Sequence, residues 1–304
     1  MESPLLVAPP TRARSGGQCV ETRRLSVGEH VVAVDILGES GPPVVLLHGI
    51  PGWRGIWRNV ARRLSTDCRV IAPDLLGFGE SSEPSREFHA SGQADMVVRL
   101  IRQLACGPVH LVGFDFGGPI AALVYRRAPD LVASLVLAAT NVFTDTPIPG
   151  PLQLVRPPLV GDLVARVLFS RVGLAMMWFA AVARRDVFRF AQYREMLRFP
   201  RGVVWTRRVF QSSLRHLPEL YAPVQATLRT IQVPCTVIWG DRDPFFPIAI
   251  GERTTAGIPG ATLVRIPGCG HFLPEEDPTA FAQAVETLVG ATTGRDVFRG
   301  AGRV

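Results

Sequence analysis

Short apolar runs that alternate with helix-like segments are the feature that most constrains the fold of this chain. The runs lie at 44–47, 70–72, 111–112, 135–137 and 236–239, and helix-like segments lie between them at 57–64, 93–104 and 119–127. Continuous apolar runs are typical of strands that are buried on both faces. Their alternation with helices predicts a mostly parallel sheet with helices on both sides.

The alternation stops after Asn141 and resumes at Val233. The intervening residues begin with several prolines and continue with helical patterns, so we predict an inserted α-helical cap over 145–225. The two flanking parts, 19–144 and 226–304, are then one α/β core.

The N-terminal part of the chain lacks the apolar stretch and cleavage site of a signal peptide, so we expect residues 1–18 to be a loose leader. Segments 19–25 and 30–37 are rich in β-branched residues and are separated by a turn. They predict an antiparallel hairpin at the edge of the sheet.

The composition bounds the class of protein. The chain has 304 residues, 47% of them hydrophobic, a formal net charge of +7 and a pI of about 9.9. Every basic residue is arginine, and the arginines are scattered from Arg12 to Arg303 without a recognisable nucleic-acid-binding motif. We therefore expect no nucleic-acid partner.

The five cysteines form no C-x-x-C pair, which indicates a reduced, cytoplasmic protein. One stretch, 163–183, is largely apolar, but Arg166 and Arg171 lie inside it. An arginine at the centre of a membrane span costs about 2.5 to 3.5 kcal/mol. We expect no stable membrane insertion here, with contact at a membrane surface as the alternative.

The motif Gly113-Phe114-Asp115-Phe116-Gly117 follows one of the apolar runs and precedes a helix-like segment. In the G-x-S-x-G pattern the nucleophile occupies a tight strand-to-helix turn, and flanking glycines avoid collisions there. Asp115 stands in the place of the nucleophile, which indicates carboxylate chemistry. The alternative is an acidic residue that is favoured by the helix dipole.

Two later loops supply a base and an acid. His271 follows the last predicted strand in a glycine-rich loop, and Asp243 follows the preceding strand. Such loops meet at the carboxyl edge of an open α/β sheet. Asp243 would orient His271 and stabilise its charged form. Asp241 competes for this role, and a surface position is the alternative for His271.

The loop at 48–52 has the pattern of an oxyanion loop. The backbone N–H groups of Ile50 and of Phe116, the residue after the nucleophile, are the expected donors. Pro51 has no N–H group, and a cis bond is plausible before it. We place His48, Pro51 and Met177 in the substrate pocket, with His48 bracing the loop.

Nucleophile, acid and histidine occur in the chain order of the α/β-hydrolase triad. From about residue 31 to 289 the chain resembles the α/β-hydrolase superfamily, including a strand-four turn at 74–81. The resemblance implies an α/β-hydrolase fold with a mostly parallel eight-stranded sheet flanked by helices and an inserted α-helical cap. Asp115 together with His-Gly-x-Pro is similar to the branch of epoxide hydrolases, haloalkane dehalogenases and fluoroacetate dehalogenases.

The resemblance implies a two-step mechanism in which Asp115 forms an alkyl-enzyme ester and a water activated by His271 hydrolyses it. Many haloalkane dehalogenases carry Trp after the nucleophile and often Asn in the oxyanion loop, where this chain has Phe116 and Ile50. Fluoroacetate dehalogenases carry arginines after the aspartate, where this chain has Phe116 and Pro119. Both departures favour the epoxide hydrolases.

Epoxide hydrolases use O–H donors of the cap, usually two tyrosines, to protonate the epoxide oxygen. Tyr221 is the first choice here, with Trp178 as its partner and Tyr193 as the fallback. Core packing is the alternative for Trp178. Tyr125 is expected on the core helix that follows the Asp115 turn.

We therefore expect an epoxide hydrolase that acts on an apolar, bulky small molecule. The resemblance to this family also implies a role in specialised metabolism. A haloalkane or haloacid dehalogenase is the alternative, followed by a non-covalent lyase or cyclase and a non-catalytic ligand-binding protein. The sequence implies no cofactor and no metal. A monomer or a homodimer is expected.

Overall fold

The computed structural model describes residues 6–15, 18–84, 89–104, 106–147, 150–157 and 159–294. A nine-stranded sheet with the order β1-β2-β3-β5-β4-β6-β7-β8-β9 forms its centre. The strands are β1 Leu6–Ser15, β2 Gln18–Val27, β3 His30–Leu37, β4 Pro43–Leu47, β5 Arg69–Pro73, β6 Val109–Phe114, β7 Val132–Ala138, β8 Cys235–Gly240 and β9 Thr262–Ile266.

The pairing of β1 with β2, β2 with β3 and β3 with β5 is antiparallel, and all other pairs are parallel. Side chains of β4 alternate between two cores, because Val44 and Leu46 pack on one face of the sheet and Val45 and Leu47 on the other. The mostly parallel sheet predicted from the apolar runs is confirmed.

The N-terminal segment differs from the prediction. Within 1–18, which was expected to be a loose leader, residues Leu6–Ser15 form β1 and pair with β2. The register of this pair shifts between Ala8 and Thr11, where Pro9 and Pro10 lie. Proline is tolerated on an edge strand because its missing N–H is not needed there. The sheet therefore has nine strands instead of eight, and β1 covers the hairpin predicted at the edge.

Helices cover both faces of the sheet. Those of the core are α1 Arg58–Leu64, α2 Ala90–Leu104, α3 Gly117–Arg127, α10 Ile248–Ala256, α11 Leu273–Glu276 and α12 Pro278–Thr293. Those inserted between β7 and β8 are α4 Gly150–Gln153, α5 Val160–Leu168, α6 Arg171–Ala181, α7 Phe190–Tyr193, α8 Pro200–Arg215 and α9 Leu217–Leu228. Short 3₁₀ helices occur at Arg54–Trp57, Pro129–Leu131 and Arg194–Arg198.

The inserted helices occupy the segment predicted as the cap, and α9 continues three residues past the predicted boundary at 225. In the described part of the chain, no single helix is long and apolar enough to cross a membrane. Helices α5 and α6 are long and apolar enough only when they are counted together, and the chain bends by 70° between them.

Candidate active site

Asp115 lies at the turn between β6 and α3 with a φ of +50°, which non-glycine residues rarely adopt. Its N–H donates to the Ala138 carbonyl at 3.0 Å. The glycine after Phe116 is required by space, because a Cβ at Gly117 would collide with the Leu47 carbonyl. The turn thus holds the Asp115 side chain at the carboxyl edge of the parallel strands.

The oxyanion loop approaches this carboxylate directly. The Ile50 N–H donates to Asp115 Oδ1 at 2.6 Å. The Ile50–Pro51 peptide bond is cis, as the sequence allowed. Phe116 lines the same cavity as Asp115. The role of its N–H as the second donor stays a prediction.

His48 supports the loop from behind. The Leu75 N–H donates to His48 Nε2 at 3.0 Å, so Nδ1 carries the proton and donates to the Gly49 carbonyl at 2.8 Å. Burial lowers the pKa of His48 to about 4, which keeps the ring neutral. His48 is not among the described residues that line the cavity. Its predicted place in the substrate pocket is therefore corrected to a bracing position beneath the loop.

Arg54, which was not predicted from the sequence, connects the loop at 48–52 with the turn at 74–81, which follows β5. Its side chain is 6% exposed. The guanidinium donates to Asp35 at 2.9 Å, to Glu80 at 2.6 Å and to Asp74, and the Arg54 N–H donates to Asp74 at 2.7 Å. One buried cation thus compensates three carboxylates. The motif at 74–81 was the only sequence signal for this network.

The histidine and acid loops meet as predicted from the sheet topology. His271 Nδ1 lies 2.9 Å from Asp243 Oδ2. The other oxygen of Asp243 accepts from the Phe245 N–H at 2.8 Å and the Phe246 N–H at 3.0 Å. Asp241 is exposed and accepts from the Gly268 N–H instead. The structure therefore brings Asp243, and not Asp241, to the histidine.

His271 Nε2 lies 3.5 Å from Asp115 Oδ2, and the imidazole is 2% exposed. Burial by itself lowers the pKa of His271, but the carboxylates of Asp243 and Asp115 outweigh it and raise the pKa to about 10. The position of the ring between two acidic side chains therefore favours the imidazolium form. Because the charge of Asp115 contributes to this rise, its loss lowers the pKa of His271.

Glu276 holds the histidine loop against the cap and was also missed. Its buried Oε2 accepts from the N–H groups of Ala183, Arg184 and Gly270, each at 2.9 Å. Its Oε1 accepts from the Phe272 N–H at 3.0 Å. The N–H of His271 itself donates to the Ala181 carbonyl at the end of α6, at 2.9 Å. The position of the imidazole is thereby coupled to the cap.

A mostly apolar cavity lies between these loops and the cap. Pro51, Met177 and Tyr221 line it, as predicted. Its other apolar lining residues include Leu152, Leu168, Phe169, Phe210, Leu214 and Leu217. Such a cavity suits an apolar small molecule with few polar groups.

Tyr221 lines the cavity. Burial, followed by the charge of Asp115, raises the pKa of Tyr221, and a hydrogen bond with Ser213 opposes them. The phenol therefore stays protonated and available as a donor. On the neighbouring helix α8, Thr206 also lines the cavity, and its Oγ1 is buried without a hydrogen-bond partner among the described residues. The sequence analysis missed Thr206 because a threonine in a helix has no distinctive motif.

The other two predicted donors lie elsewhere. Tyr193 is fully buried against Phe188, Phe190 and Phe272. The Trp178 ring packs against Phe190. Neither Tyr193 nor Trp178 is among the described residues that line the cavity. Core packing, which was the alternative for Trp178, accounts for both positions.

Tyr125 lies on α3, as expected. Its hydroxyl donates to the Thr230 carbonyl at 3.2 Å and accepts from the Gln232 N–H at 3.0 Å. This tyrosine therefore fixes the connection that leads to β8 and is remote from the chemistry.

Comparison with known proteins identifies similar hydrolases. Haloalkane dehalogenase 2 of Mycobacterium tuberculosis is 29% identical over 267 residues, which are 81% of this chain and 87% of that protein. The crystal structure of the putative ancestral haloalkane dehalogenase AncHLD2 is 26% identical with a TM-score of 0.74, covering 90% of this chain and 100% of that one. The epoxide hydrolase CorEH, at 23% identity and a TM-score of 0.72, covers 93% and 99%.

These relatives support a hydrolase, and the structural similarity at 23% identity supports the fold alone. The model of the alpha/beta hydrolase fold family matches residues 42–278, which are most of the chain. The sheet topology agrees with this match, and so does the order of the Asp115 turn, the acid loop and the histidine loop along the chain. The chain therefore belongs to the α/β-hydrolase superfamily.

Proposed function

We propose that the protein is an epoxide hydrolase that opens an apolar, bulky epoxide through a covalent ester on Asp115. The observation that carries the proposal is that Tyr221 and Asp115 line the same mostly apolar cavity, where burial and the charge of Asp115 raise the pKa of the Tyr221 phenol. A carboxylate nucleophile opposite an O–H donor matches what opening of an epoxide requires, because one oxygen attacks carbon while the ring oxygen gains a proton.

In the first step Asp115 Oδ2 attacks an epoxide carbon and the carbon–oxygen bond of the ring breaks. Tyr221 donates its proton to the departing oxygen, which becomes a hydroxyl of the product. Asp115 is now an uncharged ester, so the pKa of His271 falls. The proton that His271 then releases restores the proton taken from Tyr221.

In the second step water attacks Cγ of the ester, and the carbonyl oxygen Oδ1 becomes an oxyanion. The Ile50 N–H, which donates to Oδ1, stabilises this oxyanion. His271 takes the proton of this water, and Asp243 stabilises the resulting imidazolium. The Cγ–Oδ2 bond breaks, and the departing alkoxide takes the proton of the His271 imidazolium and leaves as the diol. The new carboxylic acid of Asp115 then gives its proton to His271, which restores the carboxylate and the imidazolium. One carboxylate oxygen of Asp115 then comes from water.

Dehalogenation of an apolar haloalkane is the second candidate, because haloalkane dehalogenases are among the similar proteins. It would use the same ester on Asp115. Among the described residues, however, no tryptophan lines the cavity, so no indole N–H faces the place where a halide would leave. This difference favours the epoxide.

Trapping of the ester tests the proposal. We expect that a His271→Gln variant, mixed with a panel of epoxides and alkyl halides, accumulates a covalent adduct on Asp115 that intact-mass and peptide mass spectrometry detect. The Asp115→Ala, His271→Gln double variant is the control and should remain unmodified. An adduct from epoxides alone supports the first candidate, and release of halide supports the second. Covalent catalysis is wrong if no electrophile modifies Asp115 while the wild-type enzyme turns over its substrate.

The oxygen donor is tested separately. Replacement of Tyr221 with phenylalanine is expected to slow ester formation by ~10²-fold, the usual size of one acid catalyst. Tyr193→Phe is the matched control and should retain the wild-type rate, since its hydroxyl lies outside the cavity. The rate of adduct formation, measured in the His271→Gln background, reports this step alone. A Thr206→Val variant in the same assay shows whether a second hydroxyl assists. A wild-type rate for Tyr221→Phe would remove Tyr221 from the mechanism.

A further inference from the structure

The cap carries an exposed apolar surface that the proposed chemistry does not use. Six side chains of α5 and α6 form this surface, which we name the cap face: Val160, Leu163, Val167, Val172, Met176 and Phe179. Each is 57–70% exposed. Their spacing is i, i+3, i+7 on α5 and i, i+4, i+7 on α6, so each helix presents one apolar stripe. Clustered exposure of this kind marks a surface of interaction.

The opposite sides of the same helices line the cavity. Leu168 at the end of α5, Phe169 after it and Met177 of α6 all contact that space. The cap face and the cavity are therefore separated by a single layer of helices. Whatever covers the cap face lies next to the place where an apolar ligand binds.

The cap that carries this surface is positively charged. Residues 145–225 contain 12 arginines and five acidic residues, so the whole formal net charge of +7 lies in the cap and the rest of the chain is balanced. Arg166 and Arg171 are exposed on the two helices themselves. Arg185 stacks 4.0 Å from the Phe179 ring. The nearest acid on these helices, Asp162, is bonded to Gln211 and Arg215.

We propose that the cap face docks on the surface of an anionic phospholipid bilayer. Apolar stripes flanked by arginines are the pattern of an interfacial helix, in which the side chains enter the acyl boundary and the arginines bind phosphate groups. The helices are only nine and 11 residues long and meet at 70°, so they lie along the surface and do not cross it.

A second copy of the chain fits this surface less well. A two-fold dimer through the cap face would bring two caps of net charge +7 together, and like charges oppose such an interface. An anionic bilayer is attracted by the same charge. Docking would also place the cavity beside the phase in which apolar substrates concentrate. The inference does not depend on whether the substrate is an epoxide or a halide.

Binding to vesicles tests the proposal. The wild-type protein is expected to sediment with phosphatidylcholine vesicles that contain phosphatidylglycerol, to remain in solution with phosphatidylcholine alone, and to be released by high salt. A Leu163→Gln, Met176→Gln variant should bind at least tenfold more weakly. The Arg166→Gln, Arg171→Gln variant should lose about fivefold for each arginine removed. Val7→Gln, at an exposed position of β1, is the matched control and should bind normally.

Because all four cap positions are exposed, circular dichroism and thermal unfolding should show that these variants fold as the wild type does. Absence of binding to anionic vesicles overturns the proposal, and so does binding that Leu163→Gln, Met176→Gln leaves unchanged. Light scattering during gel filtration gives the third outcome. A wild-type dimer that becomes monomeric in this variant, without vesicle binding, would assign the cap face to a second copy.

Discussion

Replacement of Asp243 with asparagine is expected to lower kcat on the order of 10⁴-fold, the effect of giving a catalytic histidine the wrong tautomer. Asp243 Oδ1 accepts from two backbone N–H groups, those of Phe245 and Phe246. An asparagine must place its carbonyl oxygen there, which leaves its NH₂ group toward His271 Nδ1. Nδ1 then has to accept, so the proton of the neutral ring moves to Nε2. Nε2 is the nitrogen that should take a proton from water.

The variant should stop at a defined point of the reaction. Attack by Asp115 on the substrate does not require His271 as a base, so Asp243→Asn is expected to form the Asp115 adduct at a rate close to that of the wild type and to hydrolyse it slowly. Rapid-quench mass spectrometry separates the two steps. Asp241→Asn is the matched control, since this exposed carboxylate accepts from the backbone N–H of Gly268 in the histidine loop. If Asp241→Asn accumulates the adduct and Asp243→Asn does not, the roles of the two acids are reversed.

The choice between these two acids illustrates what sequence supplies and what it does not. The sequence located the loop of the acid and the loop of the histidine because each follows an apolar strand, and parallel strands end at one edge of a sheet. It left Asp241 and Asp243 as competitors because they share one loop. The distinction depends on the path of the loop backbone, which turns Asp243 beneath the imidazole and Asp241 toward Gly268.

The cap resisted prediction for a related reason. A helical pattern does not say which face of a short helix points to the cavity, because apolar side chains pack on both sides of a cap. Tyr221 and Met177 were placed in the cavity by the sequence and line it, whereas Tyr193 and Trp178 turn into the packing between cap and core. Residues 1–18 were predicted to be a loose leader, and the edge strand β1 within them was not predicted. Its two prolines are compatible with an edge strand.

Arg54 and Glu276 show a second limit. Both are buried charges. The partners of Arg54, and the cap N–H groups that donate to Glu276, are distant in sequence, so a local pattern does not identify these contacts. In the part of the chain that the structure describes, Glu276 accepts from backbone N–H groups of the cap and of the histidine loop. Arg54 binds three carboxylates, those of Asp35, Asp74 and Glu80, which lie 19 to 26 positions from it in the sequence. Long-range satisfaction of buried charge is settled only by the folded chain.

Removal of Arg54 is expected to produce the largest loss of stability. An Arg54→Met variant should lower the free energy of unfolding by about 3 to 5 kcal/mol, because it leaves buried carboxylates without their counter-charge. Asp74 is the most affected, since it is fully buried. Burial raises the pKa of Asp74 to about 6 even though Arg54 opposes this. Chemical denaturation followed by circular dichroism measures the loss.

The pH dependence of that loss has a definite sign. Without Arg54 the pKa of Asp74 rises further above its unfolded value, so folding favours the protonated acid. Stability is then retained in acid and lost as the pH rises through the folded pKa. The deficit of Arg54→Met relative to the wild type should therefore be smaller in mildly acidic buffer than in mildly alkaline buffer.

Arg24→Met provides the matched control, because Arg24 also donates to Glu80, at 3.1 Å, but its side chain is 49% exposed. A surface pair of this kind contributes at most about 1 kcal/mol. Equal losses in the two variants would contradict the buried network, since the shared Glu80 contact would then account for both. We expect a large loss of stability in Arg54→Met alone. If the folded fraction of this variant also forms the Asp115 ester more slowly, Arg54 positions the oxyanion loop as well as stabilising the fold.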